Sequence, residues 1–228
     1  MTAVVVQCRI GSTRLPGKAL LPLGGATLTD QVLRRLGSLP VEALILATEA
    51  SSASALEPIA ARNGFELFVG PEDDVLERYC MAIRRYGIDL VIRATADNPL
   101  VSSELALRLL ERRSALLREG TSPDYLAFVG MPLGMGVELV AATALLWAET
   151  EATEPDEREH VCPYLYRHPE RFTVERLDAP PSHALPAARI TVDRPEDYEL
   201  MLRIYGSLYD GRPIPDESLL AWLRSERP

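Results

Sequence analysis

Residues 3–8, AVVVQC, run directly into RIGSTRLPGK at 9–18. A short valine-rich run of this kind is a strand buried on both faces, as in a parallel sheet. A loop with Gly11, Pro16 and Gly17 follows, and then residues 28–36 place Leu28, Val32, Leu33 and Leu36 on one helical face. The unit repeats. ALILA at 43–47 is a second strand, with a helix over 52–63 stopped at Gly64. A third strand at 65–69 leads to a helix over 73–86 stopped at Gly87, and DLVIRA at 89–94 leads to a long amphipathic helix over 102–118. Strand and helix alternating in this way indicate an α/β fold, a parallel sheet covered on both faces. Such sheets bind ligands at the carboxyl ends of their strands, so the residues just past each strand are the informative ones.

The second half is less regular. Its pattern predicts strands at 137–140, 172–177 and 188–192 and helices over 142–150, 158–167, 195–208 and 217–224, with Pro195 in a favoured first-turn position. APPSHALP at 179–186 is a surface loop too short to divide domains, so the chain is expected to form a single domain over 1–228.

Charged residues at 25% and hydrophobic ones at 47% are those of an ordinary globular domain and exclude disordered or collagen-like classes. The 24 basic against 33 acidic residues give a net charge of -9, which argues against non-specific binding to nucleic acid or an anionic membrane. No apolar run approaches the ~20 residues of a membrane-spanning helix. Cys8, Cys80 and Cys162 form no CxxC pair and are expected to be reduced thiols, and the absence of a charged leader adds to the expectation of a cytoplasmic protein.

Against that acidic background the loop after the first strand stands out. Gly11, Ser12 and Thr13 let backbone N–H groups approach an anion, and Arg9, Arg14 and Lys18 can neutralise phosphate charge. The pattern is neither GxxxxGK[ST] nor GxGxxG. Asp97, in RATADNP at 93–99, sits where one carboxylate opposite a phosphate loop suits magnesium, or where an Asx-turn precedes a proline. Asp193, in RITVDRPED at 189–197, is either a second metal carboxylate or a helix cap. In EREHV at 157–161, Arg158 is a candidate anion contact and His160 the one histidine in a charged cluster; the alternative is a solvated helix face. Glu138 follows the Gly134–Gly136 turn and is able to accept from sugar hydroxyls or simply to be exposed. Thr48 and Gly70 end the second and third strands, where a nucleobase would lie, and Asp73 or Asp74 caps the next helix. His168 and His183 fall in loops and receive no role.

Taken together, QCRIGSTRLPGK (7–18), ILAT (45–48), VGPEDDVLERY (69–79), VIRATADNPLV (91–101), PLGMGVELV (132–140), EREHV (157–161) and RITVDRPEDYELM (189–201) resemble the cytidylyltransferase family that activates acidic sugars. The likeness is to the acylneuraminate cytidylyltransferase-like group, nearest its spore-coat polysaccharide SpsF-type branch. It implies a three-layer α/β/α sandwich with a mostly parallel sheet, Rossmann-like and similar to nucleotide-diphospho-sugar transferases. It also implies magnesium-dependent nucleotidyl transfer from CTP to a sugar or sugar acid for cell-envelope or spore-coat polysaccharide, with pyrophosphate released.

Carried onto this chain, Arg9, Gly11, Ser12, Thr13, Arg14 and Lys18 would cradle the triphosphate, and Thr48 and the loop around Gly70 would lie by the base and ribose. Asp97 and Asp193 would hold magnesium, and Glu138, Arg158, Glu159 and His160 would face the acceptor. Arg14, Lys18 and Asp97 are the expected catalytic set. Residues 1–120 would be the nucleotide-binding half and 121–228 the acceptor-binding and dimerisation part of a homodimer. Competing readings are a nucleotide-binding module without catalysis, a transferase using another nucleotide or a non-sugar acceptor, and a glycosyltransferase of related fold. The last would show a DxD-type motif where this chain has Asp97-Asn98-Pro99.

Overall fold

The computed structural model describes residues 1–226. Strand β1 (Thr2–Gln7) leads through the cationic loop and a short 3-10 turn (Lys18–Leu20) to a small hairpin, β2 (Pro22–Leu23) and β3 (Ala26–Thr27), and on to helix α1 (Leu28–Leu36). Then come β4 (Ala43–Glu49), α2 (Ala50–Arg62), β5 (Glu66–Gly70), α3 (Val75–Tyr86), β6 (Leu90–Thr95) and α4 (Ser103–Arg118). The second half holds β7 (Tyr125–Val129), β8 (Glu138–Ala141), α5 (Ala142–Glu151), α6 (Pro155–His160), α7 (Pro163–Arg167), β9 (Val174–Asp178), α8 (Pro195–Leu208) and α9 (Asp216–Ser225).

The main sheet has the order β5-β4-β1-β6-β8-β7-β9. Only β8 runs against its neighbours, β6 and β7; the other pairs are parallel. Side chains on β1 alternate between two cores. Val4 and Val6 pack with α1, α2, α4, α8 and α9, while Ala3 and Val5 pack with α3, α5 and α7. A strand with every interior side chain buried needs apolar residues on both faces, which is why residues 3–6 lack polar alternation. This is the three-layer α/β/α sandwich.

The chain leaves β1 towards β4 and β5 and returns on the other side of β1 with β6. The direction of winding therefore reverses between β1 and β6, and the crevice beyond their carboxyl ends is where a sheet of this kind takes a ligand.

Several expected elements differ. The helix expected over 158–167 is two short helices, because Val161 turns the chain with φ 72 and ψ -53 and the Cys162 N–H bonds to His160 O at 2.8 Å. That is a γ-turn, a strained geometry rare for a β-branched residue. The run at 188–192 is not a strand of the sheet: among the described residues its one bridge is an isolated parallel one, from Leu133 in the loop between β7 and β8 to Arg189. It lies over the loops, with Ile190 N–H on Leu133 O and Val192 N–H on Asp97 O, both at 2.8 Å. The hairpin at 22–27 and strand β7, YLAFV, were not anticipated.

Helix α1 begins with a reciprocal cap between Thr27 and Asp30. Asp30 is fully buried and also receives Arg62 Nε and Asn63 Nδ2, at 2.8 and 2.7 Å. Burial disfavours its charge, but the bonds from Arg62, Thr27 and Asn63 prevail and hold its carboxyl well below the ordinary carboxylate range. A depressed carboxyl contributes stability that is present above its unfolded value near 4 and is lost as pH falls through the folded value. Asp30→Asn is therefore expected to cost about 1.5–3 kcal/mol at neutral pH. The gap to the parent chain should narrow in acid, as read by urea unfolding across pH; a gap independent of pH would refute the assignment.

Candidate active site

A cleft of about 290 Å3 opens at the β1–β6 switch point, its floor and near wall formed by Gln7, Cys8, Arg93, Thr95, Ala96 and Asp97. The loop after β1 forms one side. Ile10 N–H donates to Ser52 Oγ at 2.9 Å, and Ser52 Oγ in turn donates to Glu49, so the start of α2 anchors the loop. Ser12 N–H turns back to Ile10 O at 2.8 Å. The N–H groups of Gly11, Thr13 and Arg14 donate to no protein acceptor among the described residues, which leaves them for an anion. A side chain at Gly11 would meet no protein atom within 4 Å, so the glycine leaves the loop open to a ligand rather than relieving a clash.

Lys18 reaches from the end of this loop across the cleft. Its Nζ donates to Asp97 Oδ2 at 2.9 Å, Asp193 Oδ1 at 2.9 Å and Val192 O at 2.7 Å. Asp97 is oriented by Thr95, whose hydroxyl donates to Oδ1 at 2.5 Å and accepts from Asn98 Nδ2 at 2.8 Å. Asp193 also receives Arg189 Nη2 at 2.6 Å, with Arg14 Nη2 at 3.4 Å. Burial works against its charge, but Lys18, Arg189 and Arg14 hold its carboxyl below the ordinary range, so Asp193 is ionised at neutral pH. Asp193 does not cap α8: Arg194 stands at the N-cap position without a side-chain cap, and the Asp197 carboxylate in the first turn accepts the N–H of Asp193 and Arg194.

At the opposite lip the γ-turn sets Glu159 and His160 on the cleft wall, and Arg9 Nη2 meets Glu159 Oε1 at 3.4 Å. Of the residues expected to act here, Arg9, Ser12, Thr13, Arg14, Lys18, Asp97, Asp193, Glu159 and His160 line one cleft. Gly11 stands in the same loop.

Four expected residues lie behind the wall. Thr48 is fully buried and donates to Glu49 Oε2 at 3.0 Å. Gly70 ends β5 where a Cβ would come within 2.7 Å of Arg78 Cγ, so its role in this structure is to admit that side chain. Arg158 does not reach the cleft: it is tied to Asp74, the N-cap of α3, and to Glu149 O at 2.7 Å. A guanidinium held on three sides by protein acceptors joins α6 to α3 rather than meeting a ligand. Glu138 is the register partner of Arg93 across the β6–β8 ladder and ion-pairs with it, while Tyr125 OH donates to its other oxygen at 2.7 Å.

Glu138 thus supports a cleft residue the sequence reading did not single out. The Arg93 side chain is 11% exposed and lines the cleft; it donates to Gln7 Oε1 at 2.9 Å, and its Nε has no partner among the described residues. Burial opposes its charge, but Glu138 outweighs burial and keeps the guanidinium firmly charged. Arg78, also unforeseen, lines the cleft from α3 and donates to Pro71 O and Glu72 O, shaping the loop after β5. A signal existed for Arg93: a lone cation in an otherwise apolar strand is rarely buried without a partner or a task.

The comparisons agree with this geometry. A family profile described as cytidylyltransferase matches residues 3–215. The spore coat polysaccharide biosynthesis protein SpsF of Bacillus subtilis (strain 168) is 34% identical over 231 residues, covering 98% of this chain and 94% of its own. A 3-deoxy-manno-octulosonate cytidylyltransferase of Bradyrhizobium sp. (strain ORS 278) is 26% identical over 200 residues, 78% of each chain. Among solved structures, a cytidylyltransferase from Leptospira borgpetersenii serovar Hardjo-bovis superposes with a TM-score of 0.88 at 27% identity, over 98% of this chain and 94% of that one. A CMP:2-keto-3-deoxy-manno-octonic acid synthetase complexed with CTP shares the fold, with a TM-score of 0.68 at 15% identity over 90% and 98% of the two chains.

Proposed function

This chain belongs to the cytidylyltransferase family, and from that premise we propose that it transfers the cytidylyl group of CTP to a sugar or sugar acid destined for an envelope polysaccharide. The observation that carries the reading is the Lys18 ammonium shared by Asp97 and Asp193 opposite a loop of unpaired N–H groups. An acceptor oxygen attacks the α-phosphorus, the bond from that phosphorus to the bridging oxygen breaks, and pyrophosphate leaves with the electron pair. Charge grows on the leaving group. The Arg9–Lys18 loop holds the triphosphate, and Lys18 and Arg14 neutralise that charge by fixed electrostatics rather than by covalent chemistry.

The residues present fit magnesium. Two carboxylate oxygens, from neighbouring segments opposite the loop, converge on a single cation within hydrogen-bonding distance, and hard oxygen donors beside substrate phosphates are the usual magnesium set. Asp97 and Asp193 would hold the ion, which supplies charge neutralisation and orientation at the phosphates when bound. On the acceptor side, His160, on the cleft wall, is the candidate to take the hydroxyl proton. Arg93, fixed by Glu138 and Gln7, offers a half-buried cation to an acidic acceptor.

A homodimer belongs to the same proposal, supported by Trp147, which is 58% exposed on α5 in the irregular half. So does a cytoplasmic location, supported by three free buried thiols.

The test is a pyrophosphate-release screen of the four nucleoside triphosphates with magnesium against a panel of neutral and acidic sugars. Turnover is expected with CTP and an acidic sugar. A parallel thermal-shift series should show CTP with magnesium raising the midpoint. A hundredfold excess over Kd is worth about 2.7 kcal/mol, or roughly 5–10 °C for a chain of this size. An unchanged midpoint with every nucleotide would sink the reading.

A further inference from the structure

Away from the cleft, three elements meet at one buried imidazole. His183, in the loop at 179–186, is 3% exposed. Its Nδ1 pairs with Ser182 Oγ at 2.9 Å, and its Nε2 has no hydrogen-bond partner among the described residues. That nitrogen points between two carboxylates. Asp216 Oδ2, on the first residue of α9, is 3.4 Å away, and Glu104 Oε2, in the first turn of α4, is 3.9 Å away. One ligand atom from each of the three residues lies within 4.8 Å of the others. A buried, unpartnered nitrogen facing two acids has an unmet need for a cation or a proton.

The spacing is that of a coordination sphere. Metal bonds of about 2.1 Å in tetrahedral array place ligand atoms about 3.4 Å apart. We propose that Glu104, His183 and Asp216 bind a divalent transition-metal ion of the zinc type. One imidazole nitrogen and two carboxylate oxygens, with a fourth position open on the exposed Glu104 side, suit zinc better than magnesium or calcium, which take oxygen donors alone.

The surroundings orient the ligands. Ser182 fixes the imidazole ring. Ser102, the N-cap of α4, donates to Asp216, and Arg35 Nη2 meets the other Asp216 oxygen at 2.7 Å. Arg108 occupies Glu104 Oε1 at 3.0 Å and leaves Oε2 for the ion. Supporting contacts of this kind hold ligand rings and carboxylates in the geometry a metal needs. None of the three ligands lines the catalytic cleft. The ion would clasp the starts of α4 and α9 to the loop that runs on to Asp193, so its role is structural.

The test uses the full chain, stripped with chelator and kept in excess magnesium so that Asp97 and Asp193 are occupied. Zinc is titrated against a chromophoric chelator, and cobalt(II) serves as the spectroscopic probe. One equivalent of zinc is expected to bind, and cobalt is expected to give the intense visible bands of a low-coordinate nitrogen–oxygen site. His183→Gln and Glu104→Gln should each weaken zinc by more than the ~10–100-fold that loss of a supporting residue costs. The zinc-dependent rise in unfolding midpoint should vanish in both. Glu104 is exposed, so its variant folds and decides the matter even if His183→Gln does not. No zinc uptake in magnesium, affinity unchanged in Glu104→Gln, or a weak octahedral cobalt spectrum would each overturn the site.

Discussion

Lys18→Met is expected to lower kcat for pyrophosphate release by about 100–1000-fold, the loss seen when one fixed donor is taken from developing anionic charge. The reason is positional. Lys18 is the most closely held of the loop cations, with its Nζ in contact with Asp97, Asp193 and Val192 O. Removing it leaves the Asp97 and Asp193 carboxylates without their shared cation and takes away the most buried loop-side charge that meets the leaving pyrophosphate. Arg14 is half as constrained: it touches Asp193 at 3.4 Å and remains largely exposed, so Arg14→Met should cost less. The checks are steady-state kcat at saturating CTP and, separately, CTP affinity by calorimetry. Most of the loss should fall on kcat. A Lys18→Met enzyme within a fewfold of the parent would show that the chemistry lies elsewhere.

Arg35→Met is expected to destabilise the fold by about 3–5 kcal/mol, the cost of stranding one member of a buried ion pair. Arg35 and Asp216 have side chains 4% and 5% exposed. Arg35 also donates to Val101 O at 2.5 Å and Ile214 O at 2.6 Å, so one guanidinium joins α1 to the end of the 95–101 loop and to the segment before α9. Burial pushes that guanidinium down from its ordinary value, and Asp216 draws it back up. With Arg35 gone, the buried Asp216 carboxylate loses its cation and keeps the Ser102 hydroxyl, while two carbonyls lose their donor. Against a total of about 5–15 kcal/mol the loss is large, and the melting midpoint should fall by roughly 6–20 °C. Guanidinium unfolding should show a lower midpoint with an unchanged m-value. Arg35→Met combined with Asp216→Leu should recover part of the loss, because an apolar pair strands no charge. A double variant no better than the single would remove the stranded charge as the cause.

What was legible beforehand was local. The strand at 3–8, the helices over 28–36 and 73–86 and their glycine stops follow from side-chain periods and backbone freedom within a few residues. The loop at 9–18 announces phosphate chemistry because small residues and cations are crowded together in an acidic chain. Asp97 and Asp193 stood out for a similar reason, each just past an apolar run.

The misreadings share one cause. Arg158 reads as a ligand contact because it sits beside Glu159 and His160, yet a helix spreads neighbours around its axis, so Glu159 and His160 line the cleft while Arg158 turns to Asp74 and Glu149 O. The run at 188–192 has strand composition, but its backbone bonds go to the loops at Leu133 and Asp97 rather than to a strand. His183 sits in a segment whose composition signals solvent and is nevertheless buried, since α4 and α9 close over it.

The chain therefore carried in its own order the alternating α/β plan, the phosphate loop and the family likeness, because each is written in adjacent residues. The pairings came from the fold. Lys18 meets Asp193 across 175 positions, Arg93 meets Glu138 across 45, and Arg35 meets Asp216 across 181. Such contacts depend on which strand ends the sheet brings side by side, and a charged side chain acquires its task only when burial and a distant partner set its surroundings.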